Sequence, residues 1–294
     1  MRLLVKFSAI FTLVFGIGVA IIGGLTYRML ADGAHSQVLA QAQLMMQAMS
    51  SVRKYTTVQV LPLLAPEEAR THTFLPQTVP AYAATENFGY LRAQFPDYSY
   101  KEATLNPTNP RDRAVDWEAD VVMAFRNQPN LKQLSGERDS ATGRSLFFAQ
   151  PIRAGGPCLE CHSLPDVAPP AMVARYGSSN GFGWKEGEII AAQVISLPLS
   201  VPLAIARNEF RTLLLYLGIV FLGSLVVLNA VLYFTIAKPA ARLSDMANRI
   251  SLGELDVPEL PVKGGDEIAD LAGAFNRMRR SLVTAMKMLD DGNK

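Results

Sequence analysis

The sequence predicts an α+β domain held between two membrane-spanning helices and followed by a pair of heptad-patterned helices. Two uncharged apolar runs, residues 7–27 and 212–237, are each long enough to cross a bilayer. Residues 28–211 mix short apolar runs with frequent prolines and glycines, as a domain of helices and strands does. Residues 238–288 repeat apolar side chains at spacings of three and four, which is typical of paired helices.

The composition agrees with a membrane protein. Apolar residues make up 49% of the 294 residues, and the mean hydropathy is +0.15. The net charge of +2 is too close to zero to indicate a nucleic-acid partner, and we expect none. No nucleophile–base pattern or phosphate-binding loop stands out, so we expect no enzymatic role.

The first apolar run follows Arg2 and Lys6, the arrangement of an N-terminal anchor. A cleaved signal peptide, with Ala31 or Ala34 near the cleavage site, is the alternative. We disfavour it because the run at 7–27 is longer than the apolar part of most signal peptides.

Basic residues predict the orientation of the two spans. Arg2 and Lys6 precede the first, Lys238 and Arg242 follow the second, and such residues collect on the cytoplasmic side. We therefore expect both termini in the cytoplasm and the central domain in the periplasm, with the spans in a bacterial inner membrane. The predicted plan is a tail at 1–6, a span at 7–27, an extracytoplasmic domain at 28–211, a span at 212–237, a helix pair at 238–288 and a tail at 289–294.

The helix pair is two short heptad segments that Gly253 and Pro258 separate. Neither is long enough to be stable alone, so we expect a parallel four-helix dimer with a second copy. The apolar positions are Pro239, Leu243, Met246 and Ile250 in the first segment, and Ile268, Leu271, Phe275, Met278 and Leu282 in the second.

Four features of this region together resemble a HAMP domain. They are Pro239 just past the membrane, Gly-Glu-Leu at 253–255, Asp-Glu-Ile at 266–268 and the run AFNRM. The resemblance implies a relay from a transmembrane helix to a cytoplasmic output. The heptad pattern runs out near Met288 and no kinase, methyl-accepting or cyclase sequence follows. We therefore expect either a separate output protein, of kinase or chemotaxis type, or a shortened receptor.

After the first span, a heptad stripe predicts that the helix continues as a stalk to about Pro62. A homodimer would form through the stalk and the HAMP helices. We expect the methionines of this segment to serve side-chain packing and not metal ligation; they are Met45, Met46 and Met49. The stripe consists of Val38, Ala42, Met45, Met49 and Val52.

Three segments of the central domain have a clear local pattern. SLFFAQPI and EIIAAQVISLPL are typical of strands, and VDWEADVVMAFRNQ is typical of a helix that Asp116 or a neighbour caps. The second strand leads through Pro198 and Pro202 into the second span, so a change in the domain reaches that span directly.

The chemistry of the chain is concentrated in GPCLECHSLP, residues 156–165, which holds its two cysteines. A disulfide across so tight a loop contributes little stability. A thioredoxin-like redox pair needs a helix start, which Pro157 offers. A zinc site needs a fourth ligand beside Cys158, Cys161 and His162, from His72 or His35.

The spacing Cys-x-x-Cys-His is also the attachment site of c-type haem, and this interpretation explains all three residues. The two thiols would form thioethers with the vinyl groups of the haem. The imidazole of His162 would bind the iron as the proximal ligand. We expect one covalent haem c per chain, at Cys158, Cys161 and His162, which requires the domain to lie outside the cytoplasm.

The surrounding sequence resembles the family of c-type haem sensor domains known as DUF3365. NPTNP, WE, CxxCH and GWKxGE occur in that family's order, and the likeness runs from about Arg53 to Pro198. It implies an extracytoplasmic, PAS-like domain often placed before HAMP. The transferable site residues are Cys158, Cys161 and His162. Five further matches are expected to maintain the fold: Asn106, Asn109, Trp117, Tyr176 and Trp184.

The sixth iron ligand decides between electron transfer and small-ligand binding. The distal candidates are His72, Met172, Met123 and His35, and an open iron is an equal alternative to any one of them. Met123 is expected in the core, and His35 lies beside the membrane on the stalk. A thiolate, which the resemblance would allow, is excluded because the chain has no third cysteine.

We therefore predict a receptor that detects redox state or a small ligand outside the cytoplasm and transmits it through HAMP. The main alternative is a membrane-anchored c-type cytochrome that carries electrons. Binding of a small molecule without haem is a third interpretation, and it leaves the Cys-x-x-Cys-His spacing unexplained.

Overall fold

The computed structural model describes residues 2–140, 143–254, 256–261 and 264–291. Met1 of the predicted N-terminal tail, Leu255 of the HAMP pattern and the last three residues of the C-terminal tail lie outside these ranges. The chain divides into two compact units. One comprises residues 27–209, and the other comprises residues 1–26 together with 210–294.

The two predicted spans lie in long helices, α1 (Arg2–Tyr55) and α7 (Ser200–Leu232). Both are long and apolar enough to cross a membrane, and their most apolar windows are not buried in the protein. The spans contact each other. Ser8 donates a hydrogen bond of 2.7 Å to Asn229, and Phe15 stacks on Phe221 with ring centroids 4.4 Å apart.

Two π-helical segments interrupt these helices, and each comes just before a proline. Thr56–Val60 separates α1 from α2 (Leu61–Thr71), in which Pro62 occupies the first turn. Tyr233–Ala237 separates α7 from α8 (Lys238–Ser251), which has Pro239 in its first turn. Proline has no N–H and its ring collides with the carbonyl four residues earlier, so each helix widens locally there. The stalk helix therefore continues past the expected end at Pro62, to Thr71.

The centre of the domain is a four-stranded antiparallel sheet with strand order β1-β4-β3-β2. The strands predicted from SLFFAQPI and EIIAAQVISLPL are confirmed as β3 and β4, whereas β1 and β2 were not predicted from the sequence. The strands are β1 (Ser99–Thr104), β2 (Leu134–Ser140), β3 (Gly143–Arg153) and β4 (Ile189–Pro198).

Helices cover both faces of this sheet, which confirms a mixed helix-and-strand domain. The stalk part of α1 and α3 (Pro80–Gln94) pack on one face, around Phe148 and Ile195. On the other face, α4 (Asp116–Asn127) packs against Ala192 and Val194. Every residue of β4 before Pro198 is buried, as expected for an inner strand between two layers.

The apolar stripe of the stalk is part of this core. Val38, Ala42, Met46 and Met49 are buried against the sheet, so the methionines serve packing as expected. Met45 and Val52 are partly buried at its edge. Because the stripe is occupied within the chain, a dimer contact along the stalk must use another face of α1.

Helix α4 begins at Asp116, and Val115 takes the N-cap position. The carboxylate of Glu118 accepts the backbone N–H of Val115 at 3.0 Å, which satisfies a donor that the helix leaves open. Asp116 and Glu118 also place negative charge in the first turn, where it stabilises the helix.

The C-terminal helix pair is α8 and α9 (Glu267–Asp291). Asp266 caps α9 by accepting the N–H of Ala269 at 2.9 Å. In the connector, Val257 and Leu260 are buried. Asn276 of α9 bonds both the N–H and the C=O of Leu260, at 3.0 and 2.9 Å, and so fixes the connector to the helix.

Candidate functional site

Helix α5 (Gly156–His162) carries the two cysteines and the histidine. Pro157 lies in its first turn, where the missing N–H costs no hydrogen bond. Cys158, Cys161 and His162 stand at positions i, i+3 and i+4, so all three side chains lie on one face of the helix. Both cysteines are free thiols and partly exposed, which leaves them accessible to a common partner.

A small apolar cluster anchors this helix to the sheet. Cys158 and Leu159 pack against it, and so does Trp184 from the loop before β4. Ala191, one of its buried members, belongs to β4. The motif therefore packs directly on the inner strand β4. Ala191 and Gln193, two residues apart on this strand, lie on the same face of the sheet. The buried members are Ile152, Ala154, Ile190 and Ala191.

The ring of His162 is held by one strong hydrogen bond and one stacking contact. Its Nδ1 lies 2.7 Å from the carbonyl oxygen of Gly181, and a carbonyl only accepts, so Nδ1 carries the hydrogen. Burial lowers the pKa of His162, which favours the neutral ring. Its Nε2 therefore has the free lone pair that a metal requires. Trp184 stacks on the ring with centroids 3.9 Å apart.

Gly181 is required at its position for two reasons. Its φ of +82° disfavours residues with a side chain, and an added Cβ would lie 1.9 Å from Oγ1 of Thr108. Thr108 Oγ1 is itself 3.4 Å from His162 Nδ1. The NPTNP loop and the loop before β4 thus meet at the histidine. Trp184, expected only to maintain the fold, takes part in the site.

The sequence profile of the Tll0287-like family matches residues 31–198, more than half of the chain. The chain belongs to the Tll0287-like family. Residues 231–292 match the HAMP domain, which confirms that assignment, and two candidate membrane helices flank the Tll0287-like domain. No curated protein matches. The crystal structure of the cyanobacterial heme-protein Tll0287 aligns with a TM-score of 0.43 and 14% identity, over 55% of this chain and 95% of that one.

Negative charge at the end of the stalk acts on the motif of the Tll0287-like domain. Burial raises the pKa of the Cys161 thiol, and Glu160 and Glu68 raise it further. Glu68 lies on α2 and accepts the N–H of Leu75 at 2.6 Å. Its carboxylate is thus fixed at the end of the stalk and adds negative charge near Cys161.

The four distal candidates lie in different surroundings. His72 ends α2 with a left-handed φ of 51° and an exposed side chain. Met172 of α6 (Pro170–Tyr176) is only 3% exposed. Met123 was expected in the core, and this was wrong because it is 43% exposed on α4. His35 pairs with Glu137 of β2 at 3.8 Å, at the other end of the stalk from the motif.

The zinc interpretation lacks a complete ligand set. Across the described residues, no group of three or more His, Cys, Asp or Glu side chains converges as metal ligands do. Neither His72 nor His35 has a described contact with Cys158, Cys161 or His162. The two thiols and the Nε2 lone pair lie on one helix face, an arrangement compatible with the Cys-x-x-Cys-His pattern of haem attachment.

Proposed function

We propose that this protein is a membrane-bound receptor with one covalent haem c in its Tll0287-like domain. Cys158 and Cys161 would each add a thiol across a vinyl group, forming a C–S bond while the hydrogen goes to the neighbouring vinyl carbon. His162 would bind the iron through Nε2. The observation that carries the proposal is the His162 Nδ1–Gly181 bond, which orients the ring and leaves Nε2 free.

The haem would supply one-electron redox chemistry, or an open coordination position for a small ligand. The chain's own residues hold the group in place. Gly181 fixes the tautomer of His162, Trp184 fixes the plane of its ring, and α5 presents the two thiols. We propose no catalytic role for the protein. We also propose that the sixth coordination position of the iron is either open or filled by His72 or Met172.

The rest of the chain supports a signalling role. We propose that the haem domain, of PAS-like type, lies in the periplasm and both termini lie in the cytoplasm of a bacterium, with two spans in the inner membrane. The continuous path from β4 through Pro198 into α7, and then into HAMP, favours transmission over electron carriage. A HAMP dimer would relay the signal to a separate kinase or chemotaxis-type protein.

Absorption spectra of the purified full-length protein test this function. The protein is made with cytochrome c maturation and recorded oxidised, reduced, and reduced with carbon monoxide. We expect a haem c spectrum, and none in the variant C158A/C161A. A folded parent protein that shows no haem c spectrum would overturn the proposal. A spectrum that carbon monoxide leaves unchanged favours redox sensing or electron transfer, whereas ready binding favours a diffusible ligand.

A further inference from the structure

A partly buried ion pair joins the stalk helix to the sheet. Arg53 of α1 pairs with Glu102 of β1, and their side chains are 23% and 6% exposed. The hydroxyl of Tyr100 donates to Glu102 at 2.7 Å and lies 3.2 Å from Oε1 of Gln193. Ser50 reaches the same Gln193 oxygen at 3.5 Å. Because Glu102 is almost fully buried, the desolvation of its charge offsets much of the attraction, and the pair is weak evidence for added stability.

This polar cluster, Ser50, Arg53, Tyr100, Glu102 and Gln193, lies next to the haem motif. Gln193 and Ala191 are on the same face of β4, and two residues of strand span about 7 Å. Cys158 packs in the cluster that contains Ala191. In this low-dielectric setting a charge at the motif acts strongly on the pair. Burial opposes the charge of Arg53, yet Glu102, Tyr100 and also Cys158 raise its pKa.

The cluster also lies next to a π-helical segment of the stalk. Arg53 stands three residues before the π-helical segment Thr56–Val60. Segments of this kind are rare and recur at functional sites. A force on Arg53 therefore acts next to the point where the winding of the stalk departs from that of an α-helix.

We propose that the Arg53–Glu102 pair sets the electrostatic potential at the haem site and transmits the site's charge to the stalk helix. This inference rests on the proposed function and adds a route through α1 to the route through β4. One electron from an external one-electron donor lowers the charge at the site by one unit. Arg53 is then attracted toward the site more strongly and Glu102 less strongly, so the two partners experience opposite changes.

Because Arg53 and Glu102 carry opposite charges at the same place, removal of one charge or the other should shift the midpoint potential of the haem in opposite directions. A structural defect would not produce such a pair of shifts. In the full-length haem protein, Arg53→Met is expected to lower the potential and Glu102→Gln to raise it. We expect each to change the oxidised-to-reduced ratio about tenfold at fixed ambient potential, about 59 mV for one electron. Arg53→Lys keeps the charge and should stay close to the parent protein, which controls for misfolding of Arg53→Met.

Lys101→Met is the matched control. It removes another partly buried ion pair of β1, Lys101–Glu118 at 2.7 Å, whose carboxylate belongs to α4 on the other face of the sheet. This variant should leave the potential unchanged. Hydrogen exchange over residues 46–60 gives a second readout. Reduction should change it in the parent protein and not in Arg53→Met.

The outcomes separate this inference from the proposed function. A protein without haem c would overturn both. A haem protein in which Arg53→Met and Glu102→Gln leave the potential unchanged, or shift it in the same direction, would overturn the role of the pair alone. Equal exchange over residues 46–60 in the two redox states would overturn the transmission to the stalk.

Discussion

Gly181 is the residue on which the orientation of the His162 ring depends most directly. Gly181→Ala forces a Cβ into Thr108 at a left-handed φ, so the loop must move and the carbonyl leaves Nδ1. We expect a loss of roughly 1–3 kcal/mol of unfolding free energy. In the haem protein, the iron–histidine stretching frequency seen by resonance Raman should also change, since Nδ1 bonding sets the basicity of the ligand.

Gly183→Ala is the matched control for this prediction. Its φ of +80° is nearly the same, but an added Cβ there meets nothing within 4 Å. Gly183→Ala should lower the unfolding free energy through backbone strain but leave the iron–histidine stretching frequency unchanged. Identical behaviour of the two variants would show that the Gly181 carbonyl does not hold the ring.

Asp112 gives a pH dependence with a definite sign. Burial raises its pKa from 3.8 to about 6, and Arg111 only partly offsets this. Between these values the folded state binds more protons than the unfolded state, so this group's contribution to stability falls as pH rises from 4 to 6. Asp112→Asn should therefore stabilise the protein by roughly 1–3 kcal/mol at pH 7.5 and by little at pH 4. Denaturant midpoints at both values test this, and equal gains would contradict it.

At the scale of residues, the sequence predicted the candidate site residues but not the residues that position them. Cys158, Cys161 and His162 share one helical turn, so their spacing alone indicates their common face. Gly181 and Arg53 act through contacts with residues far along the chain, and no local pattern records such contacts. The glycine-rich run around Gly181 was the one available signal, because glycine often marks a close approach of two segments.

Among the elements, the stalk part of α1 is a structural layer of the domain as well as a connector. Met46 is fully buried against the sheet, so Met46→Ala should lower the unfolding free energy by about 2–4 kcal/mol. Leu44→Ala, at a position 71% exposed, should have little effect. Thermal unfolding of the full-length protein in detergent measures both. Equal stabilities would mean that the stalk does not pack on the sheet.

The HAMP connector depends on one side chain. Asn276→Ala leaves the N–H and C=O of Leu260 buried without their partner, which costs roughly 1–3 kcal/mol for each group. Hydrogen exchange of residues 256–261 should rise strongly in this variant. Exposed Asn248 of α8 provides the control Asn248→Ala. Unchanged exchange in Asn276→Ala would show that Asn276 does not fix the connector to α9.

The sequence predicted the elements whose patterns are strong. β3 and β4 are apolar runs and were expected, because an inner strand covered on both faces consists largely of apolar residues. β1 and β2, SYKEAT and LSGERDS, have polar compositions that tertiary pairing overrides. The stalk was expected to end near Pro62, yet a π-helical turn accommodates the proline and helix continues to Thr71.

For the molecule as a whole, the order of parts is the argument for signalling. A Tll0287-like domain lies between two candidate spans, and a HAMP domain follows the second. Two alternative packings of the HAMP helices can carry a signal only if the state of the proposed haem site favours one packing over the other. In the proposed receptor, the state of the haem must therefore change how two HAMP domains contact each other.

Cross-linking at Leu282 of α9 tests this requirement most directly. The position is 41% exposed and belongs to the heptad pattern. Leu282→Cys gives each HAMP domain one thiol for a bis-maleimide linker, in membranes held oxidised, reduced, or reduced with carbon monoxide. We predict that the cross-linked dimer fraction differs between at least two of these states in the haem protein and is constant in C158A/C161A. The same fraction in all states of a haem-loaded protein would contradict the receptor account.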